Sequence, residues 1–327
     1  MKNLLLIAFL TLAFLSFLFH QWLYKPLVIA SSEMTFQVPK GATMSRVANE
    51  LENSAGLEYA WLFSLYSRVL GSDSELRPGE YELTEGINPR QLLSLLISGK
   101  VRTYSLTFPE GITLAQAIDV LYKAPRLKNI MASALINKEL AHLTNTVNPE
   151  GWFFPDTYNY TAETSDHDIL KGAHRKMQDI LAEEWKSRSQ DTPYNNPYEA
   201  LIMASIIEKE TALASERPLI AGVFVARLKR GMRLQTDPTI IYGLGEEFDG
   251  NITRKHLADR KNVYNTYKIK GLPPTPIALP GRASISAALN PDRTASLYFV
   301  AKGDGSHYFS KTLAEHQKAV IKYQLKR

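Results

Sequence analysis

Residues 199–213 read EALIMASIIEKETAL, a stretch without Gly or Pro in which apolar residues face almost every side of the helix that it predicts. A helix that is apolar all round is buried, so we expect this one to lie in the core of a domain. The apolar run ends at Ile207, and Glu208 and Glu210 follow within one turn. At helical spacing these two acids extend different rows of the helix, so they point in different directions.

A carboxylic acid at the mouth of an apolar cleft is a candidate proton donor. Desolvation disfavours the charged form, which raises the pKa and lets the acid give up a proton near neutral pH. The alternative is that the two glutamates are only the polar end of a core helix, because acids at helix ends are common.

The composition excludes several classes of protein. With 327 residues, 45% hydrophobic and 22% charged, the chain is long enough for one or two folded domains. The net charge is +5, but dense basic runs with interleaved aromatics are missing from the sequence, so nucleic-acid binding is not supported. Because the chain has no cysteine, disulfides, thiolate metal sites and cysteine nucleophiles are excluded.

The first thirty residues carry an apolar run from residue 4 to 23, preceded by Lys2. Its length suits a membrane-spanning helix, and Trp22 and Tyr24 suit the far interface. A cleaved signal peptide is the alternative, with 28–30 as a weak cleavage site, but the run is long for a signal. We therefore predict an uncleaved anchor. One lysine precedes the apolar run, Lys2, and one follows it, Lys25, so the positive charges give only a weak signal of the orientation of the helix in the membrane.

A strand, a glycine turn and a capped helix recur in the next region. The pattern is FQVPKGAT at 36–43, YELTEGIN at 81–88 and LTFPEGIT at 106–113. The last residue of each copy, Thr43, Asn88 or Thr113, is predicted to cap the helix that follows. A further amphipathic helix is expected at 58–70. The module resembles the LysM glycan-binding domain, and a generic α+β scaffold is an equal alternative.

After residue 125 the pattern changes to longer helices, predicted at 128–142 and 168–188, and to a hairpin near 297–310 that carries His307. The segment 149–158, PEGWFFPDTY, is rich in aromatics. Such residues on a loop either stack on sugar rings or lock a junction, and the sequence alone leaves both open. The fold class is therefore α+β: an N-terminal transmembrane helix, a LysM-like α+β subdomain, and a mixed α+β catalytic domain with a buried glutamate-bearing helix.

Polar, turn-rich motifs follow the glutamate helix. They are LQTDPT at 234–239, YNTY at 264–267 and GLPP at 271–274. Neutral hydrogen-bonding side chains on loops suit a sugar or an N-acetyl group. The candidates for substrate contacts are Gln235, Thr236, Asp237, Tyr264, Asn265 and Tyr267. The alternative for each is a role in shaping the loop, with Asp237 as a helix cap before Pro238.

Taken together, EKET at 208–211, LQTDPT, YNTY, GLPP and LYFVAKGDGSHYF at 297–309 resemble the YceG-like (MltG) family of endolytic murein transglycosylases. The resemblance covers essentially the whole chain. It implies a single-pass inner-membrane protein with a cytoplasmic N-terminus and a periplasmic catalytic domain that acts on nascent peptidoglycan strands. The predicted divisions are 1–30 for the anchor, 31–125 for the LysM-like region and 126–327 for the catalytic domain. Peptidoglycan synthases are candidate partners, and neither a cofactor nor a metal is expected.

The resemblance also implies the reaction. One glutamate protonates the oxygen of the MurNAc to GlcNAc β-1,4 bond and then accepts the proton of the MurNAc C6 hydroxyl, which attacks C1 and leaves a 1,6-anhydroMurNAc end. Lytic transglycosylases place this acid directly before a small hydroxyl residue, which selects Glu210 before Thr211. Glu208 is grouped with the substrate-contacting candidates, as a neighbour that pairs with Lys209 or Arg217 or tunes the site.

Two other functions remain open at the level of sequence. A membrane-anchored glycan-binding scaffold would need no acid at all. A hydrolytic muramidase would need a second carboxylate to activate water, for which Asp237 is the candidate.

Overall fold

Helices and short two-stranded sheets alternate along residues 2–29, 33–131 and 136–325, the part of the chain that this computed structural model describes. The predicted mixed α+β class is thereby confirmed. The chain forms two units, of which the first comprises Met1–Ser105, Pro125–Lys128 and Asn159–Thr164. The second comprises Leu106–Ala124, Asn129–Tyr158 and Ser165–Arg327.

The chain begins with one long apolar helix, α1 (Lys2–Tyr24). By length and composition it could cross a membrane, and the side chains along most of its length are exposed. Only its last turns pack against the first unit, where Trp22 is buried and Phe19 and Leu23 lie against the core.

The rest of the first unit is a small α+β structure. Its elements are β1 (Glu33–Val38), α2 (Met44–Ser54), α3 (Ala60–Val69), β2 (Gly79–Thr84), α4 (Pro89–Ser98) and the first half of β3 (Tyr104–Thr107). β1 and β2 pair antiparallel with Phe36 opposite Tyr81, and both side chains are buried. Alternating residues of these strands therefore supply one side of a core that the helices complete.

The predicted caps are confirmed. The side chain of Thr43 accepts a hydrogen bond from the Arg46 amide (3.3 Å), and Asn88 and Thr113 each form a capping box at the start of α4 and of α5 (Leu114–Lys123). Each cap satisfies an amide that the first turn of the helix cannot pair internally. The strand, turn and capped helix pattern was therefore readable from the sequence.

The third copy of that pattern belongs to the second unit, although the predicted division lay at residue 125. The Gly111 amide donates to the Leu279 carbonyl (2.9 Å), and the Leu279 amide donates to the Ile112 carbonyl (2.7 Å). Glu150 accepts from the first amide of α5, that of Leu114 (3.0 Å). These pairings across more than 35 residues of chain, which local pattern does not reveal, account for the difference.

The second unit is mainly helical. Its other elements are α6 (Ile136–Thr144), the first half of β4 (Thr157–Tyr160), α7 (Asp166–Lys186), α8 (Pro197–Glu210), α9 (Arg217–Lys229), α10 (Asp237–Leu244), α11 (Arg254–Ala258), α12 (Arg282–Leu289), β5 (Tyr298–Ala301), β6 (His307–Ser310) and α13 (Leu313–Tyr323). β5 and β6 form the predicted antiparallel hairpin, and β3 pairs with β4. The helix predicted at 128–142 begins only at Ile136 in the described residues, and 132–135 lie outside them.

Helix α8 is the centre of the second unit. Every side chain from Ala200 to Ile207 is buried, and α7, α9, α10 and α12 pack around the helix. The helix ends at Glu210, earlier than the apolar pattern suggested, because Thr211 turns to extended backbone (φ −146°, ψ 136°). Its last turn therefore carries the two acids out of the core.

The aromatic segment 149–158 packs inside the second unit. Trp152 stacks on Tyr198 with ring centroids 5.6 Å apart, and Phe153 and Phe154 are buried. Of the two interpretations that the sequence left open, the structure shows the packing role.

Candidate active site

A cleft of about 470 Å³ opens at the C-terminal end of α8. Its walls come from the segment before α10, from Tyr267, from the β5–β6 hairpin and from α13. Its polar lining side chains include Glu210, Arg227, Gln235, Asp237, Tyr267 and His307. A cleft with a few converging polar groups at the end of a buried helix is a candidate active site.

Glu210 lies at the floor of this cleft. Its Oε1 accepts a hydrogen bond from the Thr236 hydroxyl (3.0 Å). Burial raises the pKa of Glu210 to about 7, and the charge of Asp237 adds to the rise, whereas the Thr236 hydrogen bond and the Arg227 cation oppose it. The position at the C-terminal end of α8 also disfavours a carboxylate, since the helix dipole is negative there. Glu210 is thus held near the midpoint of its titration at neutral pH and can donate or accept a proton.

Arg227 fixes two walls of the cleft from the buried face of α9. Its Nε donates to the Leu297 carbonyl (2.6 Å), and its Nη1 donates to the Leu234 carbonyl (2.7 Å). Its guanidinium also lies 5.0 Å from the centre of the Tyr298 ring. One buried cation therefore connects the start of the hairpin to the segment that carries Thr236.

That segment has an unusual backbone. Gln235 has φ +54°, a left-handed conformation that a residue with a side chain adopts only at a cost of about 1–3 kcal/mol. The conformation is supported by Thr266, whose carbonyl accepts from the Gln235 amide (3.3 Å) and whose Oγ1 accepts from the Thr236 amide (3.0 Å). The YNTY motif thus supports the LQTDPT motif from behind and sets the position of the Glu210 partner.

Asp237 and Tyr267 form a pair on the wall of the cleft. The Tyr267 hydroxyl donates to Asp237 Oδ1 (2.8 Å), and burial together with the Asp237 charge raises the pKa of Tyr267. Asp237 is the first residue of α10, and the N-cap is Thr236, so the suggestion of Asp237 as the cap is corrected. The Asp237 side chain is directed to Tyr267 instead.

Two of the candidates from the YNTY motif are not brought into the cleft. Asn265 is fully buried, and its amide group donates to the carbonyls of Asp259 (2.6 Å) and His256 (3.1 Å). The Tyr264 hydroxyl is bonded to Thr275 Oγ1 (2.8 Å). Both side chains hold the loop together, which is the alternative that the sequence left open.

Glu208 also lies outside the cleft. Its Oε1 pairs with Arg217 Nη2 (3.1 Å), and its Oε2 accepts from the Gly281 amide (2.9 Å). The two acids of α8 therefore point in different directions, as the helical spacing predicted. Of the two suggested ion-pair partners, the structure shows Arg217, whereas the Lys209 ammonium donates to the Gly111 carbonyl (3.0 Å).

The sequence undervalued His307. Its Nδ1 is 2.7 Å from Glu216 Oε2, and its backbone amide donates to Glu216 Oε1 (2.9 Å). The ring also packs against Phe299 in the wall of the cleft. His307 is therefore a bonded, part-buried side chain, and its partner lies 91 residues away in a short 3₁₀ turn that no local pattern connects to it.

Known proteins are similar to this chain over most of its length. The YceG-like family profile matches residues 36–322. An endolytic murein transglycosylase of Bacillus subtilis (strain 168) is 33% identical over 94% of this chain and 90% of its own length. One of Streptococcus pneumoniae (strain D39) is 27% identical over 89% of this chain and 58% of its own length. The 2.6 Å crystal structure of a YceG-like protein from Listeria monocytogenes superposes with a TM-score of 0.56, at 34% identity, over 88% of this chain and 98% of that chain. By its sequence and its fold, this chain belongs to the YceG-like family.

Proposed function

We propose that this chain is an endolytic transglycosylase that cleaves the MurNAc to GlcNAc β-1,4 bond of peptidoglycan without water. The observation that carries the proposal is Glu210, a buried acid with a pKa of about 7 on the floor of a cleft that polar side chains line. The names of the Bacillus and Streptococcus relatives, both endolytic murein transglycosylases, support it.

The proposed reaction uses Glu210 twice. Protonated Glu210 gives its proton to the glycosidic oxygen while the bond from that oxygen to C1 of MurNAc breaks. The C6 hydroxyl of the same MurNAc then attacks C1, and its proton passes to the Glu210 carboxylate. The products are a free GlcNAc hydroxyl and a 1,6-anhydroMurNAc end, and the enzyme returns to its starting protonation state.

One acid suffices because the nucleophile is part of the substrate. An intramolecular hydroxyl needs no carboxylate to position water, and proximity replaces the entropy cost of a second reactant. A pKa near 7 suits both halves of the reaction, since the donor must be protonated first and a base afterwards.

The other candidates divide into two roles in this proposal. Gln235, Asp237 and Tyr267 line the cleft and contact the sugar. The buried Thr236 and Asn265, together with Tyr264 and Glu208, act through the groups that they hold. The Asp237 carboxylate also lies close enough to raise the pKa of Glu210, so its charge can stabilise the positive C1 that develops when the bond breaks.

The location follows from α1. In the proposal, α1 is an inner-membrane anchor with its N-terminus in the cytoplasm, and the rest of the chain works in the periplasm on nascent glycan strands. The strand, turn and helix pattern of the first unit acts as a LysM-like glycan-binding module, and peptidoglycan synthases are the partners that would supply the strands.

Product ends test the proposed function. We expect the full chain in detergent to release fragments with 1,6-anhydroMurNAc ends from uncrosslinked peptidoglycan, measured by mass spectrometry. Reducing MurNAc ends would assign the muramidase reaction, with Asp237 activating water. An absence of fragments from folded protein, beside a lytic enzyme that cleaves the same preparation, would favour the glycan-binding scaffold.

Activity is expected to fall as the pH rises through about 7, because the donor form of Glu210 is lost there. Initial rates from pH 5 to 9 measure this. Glu150 provides the control for this pH dependence, because burial raises its pKa to about 7 as well. Its carboxylate lies at the start of α5, where it accepts hydrogen bonds from the Leu114 amide and the Tyr242 hydroxyl.

A carboxyl whose pKa is raised on folding stabilises the fold while protonated, and this stability is lost as the pH rises through the folded pKa. Unfolding driven by Glu150 would therefore imitate the loss of the donor. Glu150→Gln, which cannot ionise, should keep the fall in activity unchanged. If activity no longer falls with pH in that variant, the fall in the unmodified chain is caused by unfolding, and the assignment of Glu210 as the proton donor loses this support.

A further inference from the structure

Helix α3 carries an exposed apolar row that the core does not use. Trp61, Leu65 and Val69 follow one another at intervals of four residues and are 66%, 47% and 77% exposed, and Leu70 beside them is 56% exposed. The opposite face of the helix is buried through Phe63 and Ser67. A continuous apolar stripe of this size in water marks an interaction surface.

The row lies beside the end of α1. Trp22 Nε1 donates to the Glu58 carbonyl (2.9 Å), just before α3, and the Phe19 ring is 5.9 Å from the ring of Tyr66, in the second half of α3. The Trp22 ring also lies 6.4 Å from the Tyr66 ring, so Trp22 contacts both the residue before α3 and the second half of α3. The apolar row of α3 therefore lies close to the last turns of α1, where the exposed part of that helix begins.

The length of α1 sets the depth of this contact. At about 1.5 Å per residue, Phe19 lies about 22 Å along the helix axis from Leu4, the first residue of the apolar run. The hydrocarbon core of a bilayer is about 30 Å thick, so Phe19 is still inside the core if Leu4 is at its far edge. Tilt of the helix only shortens the projected distance. The aromatic ring of Tyr66, which lies beside the Phe19 ring, is thereby placed in the outer part of the hydrocarbon core.

We infer that α3 docks on the bilayer that α1 spans, with its apolar row of Trp61, Leu65 and Val69 against the lipid and the exposed Arg68 beside the lipid phosphates. This inference rests on the proposed anchoring by α1. The composition of the row supports it, since a helix face with tryptophan and aliphatic side chains and a basic residue beside them suits the membrane interface. The partner is the lipid surface itself, and its effect is to hold the first unit against the membrane instead of leaving it on a free tether.

The absence of cysteine from the sequence makes a labelling test direct. The full chain is prepared as three single-cysteine variants, Val69→Cys, Phe14→Cys and Lys40→Cys, each labelled with an environment-sensitive nitrobenzoxadiazole dye. All three side chains are exposed, so the label displaces no core residue. The proteins are reconstituted in phosphatidylcholine and phosphatidylglycerol vesicles, with and without lipids that carry a quencher on the upper acyl chain.

We expect the lipid quencher to remove most of the emission at Val69 and to leave nearly all of it at Lys40, on an exposed turn of the same unit. Phe14, in the middle of α1, reports the anchor. Quenching at Phe14 with none at Val69 would overturn the docking of α3 and leave the anchor intact. No quenching at Phe14 would overturn the anchor and the docking together, and equal quenching at Lys40 would show that the contact is not specific to α3.

Discussion

Glu210→Gln is expected to lower transglycosylase activity by about 10²–10⁴-fold, the range that a general acid contributes. Glutamine keeps the shape of the side chain, and its carbonyl can still accept from the Thr236 hydroxyl. Since a pKa of about 7 leaves Glu210 largely protonated below neutral pH, replacing it there with a neutral amide removes the proton and little else. Release of anhydro ends measures the activity, and circular dichroism with thermal unfolding measures the fold.

Glu208→Gln is the matched control, with the same chemical change two residues away on the same helix. The side-chain carbonyl of the new glutamine can still accept a hydrogen bond from the Gly281 backbone amide, although the ion pair with Arg217 is lost. We expect it to keep activity within about tenfold of the unmodified chain and to lose some stability, because Arg217 then keeps only its longer pairing with Glu110 (3.9 Å). If Glu208→Gln is the inactive variant and Glu210→Gln is active, the acid is Glu208 and the cleft described above is not the active site.

The fold was predictable where local chemistry decides it. The apolar run of α8 predicted a buried helix, and the Thr43, Asn88 and Thr113 caps were predicted from residue type and spacing. The third copy of the pattern has the same local signals but joins the second unit through Leu279 and Glu150. Membership of a core is decided by partners far along the chain, which spacing does not reveal.

The candidate site was predictable to the level of its motifs. LQTDPT and YNTY do meet, through Thr266 and through the Tyr267 to Asp237 hydrogen bond. Which side chains face the cleft was not readable, because Asn265 and Tyr264 are as polar as the residues that line it. Burial distinguishes them, and burial in a loop leaves no periodic signal.

Arg227 is the residue that the sequence could have indicated. In the helix RPLIAGVFVARLK it stands three residues after Phe224 and seven after Ile220, on the face that those buried residues define. A charged residue on an apolar face is rarely buried unless it is paired, so a lone arginine there predicts a set of acceptors. The structure supplies them as backbone carbonyls from two separate loops.

Arg227→Met is expected to lower the free energy of unfolding by about 3–5 kcal/mol, because the carbonyls of Leu297, Leu234 and Arg233 lose a buried charged donor. Denaturant unfolding measures this change. Lys229→Met, at the end of the same helix, is the control. Among the residues that the structure describes, Lys229 pairs only with the exposed Asp191, and a surface pair is worth at most about 1 kcal/mol.

Arg227→Met should also shift the pH at which activity falls. The Arg227 cation lowers the pKa of Glu210, so its removal raises that pKa and shifts the fall in activity to higher pH. A residue that only braced the walls would reduce the rate at every pH and leave the midpoint unchanged. A shifted midpoint would therefore show that the cation which holds the cleft together also sets the proton affinity of its acid. An unchanged midpoint would confine Arg227 to packing.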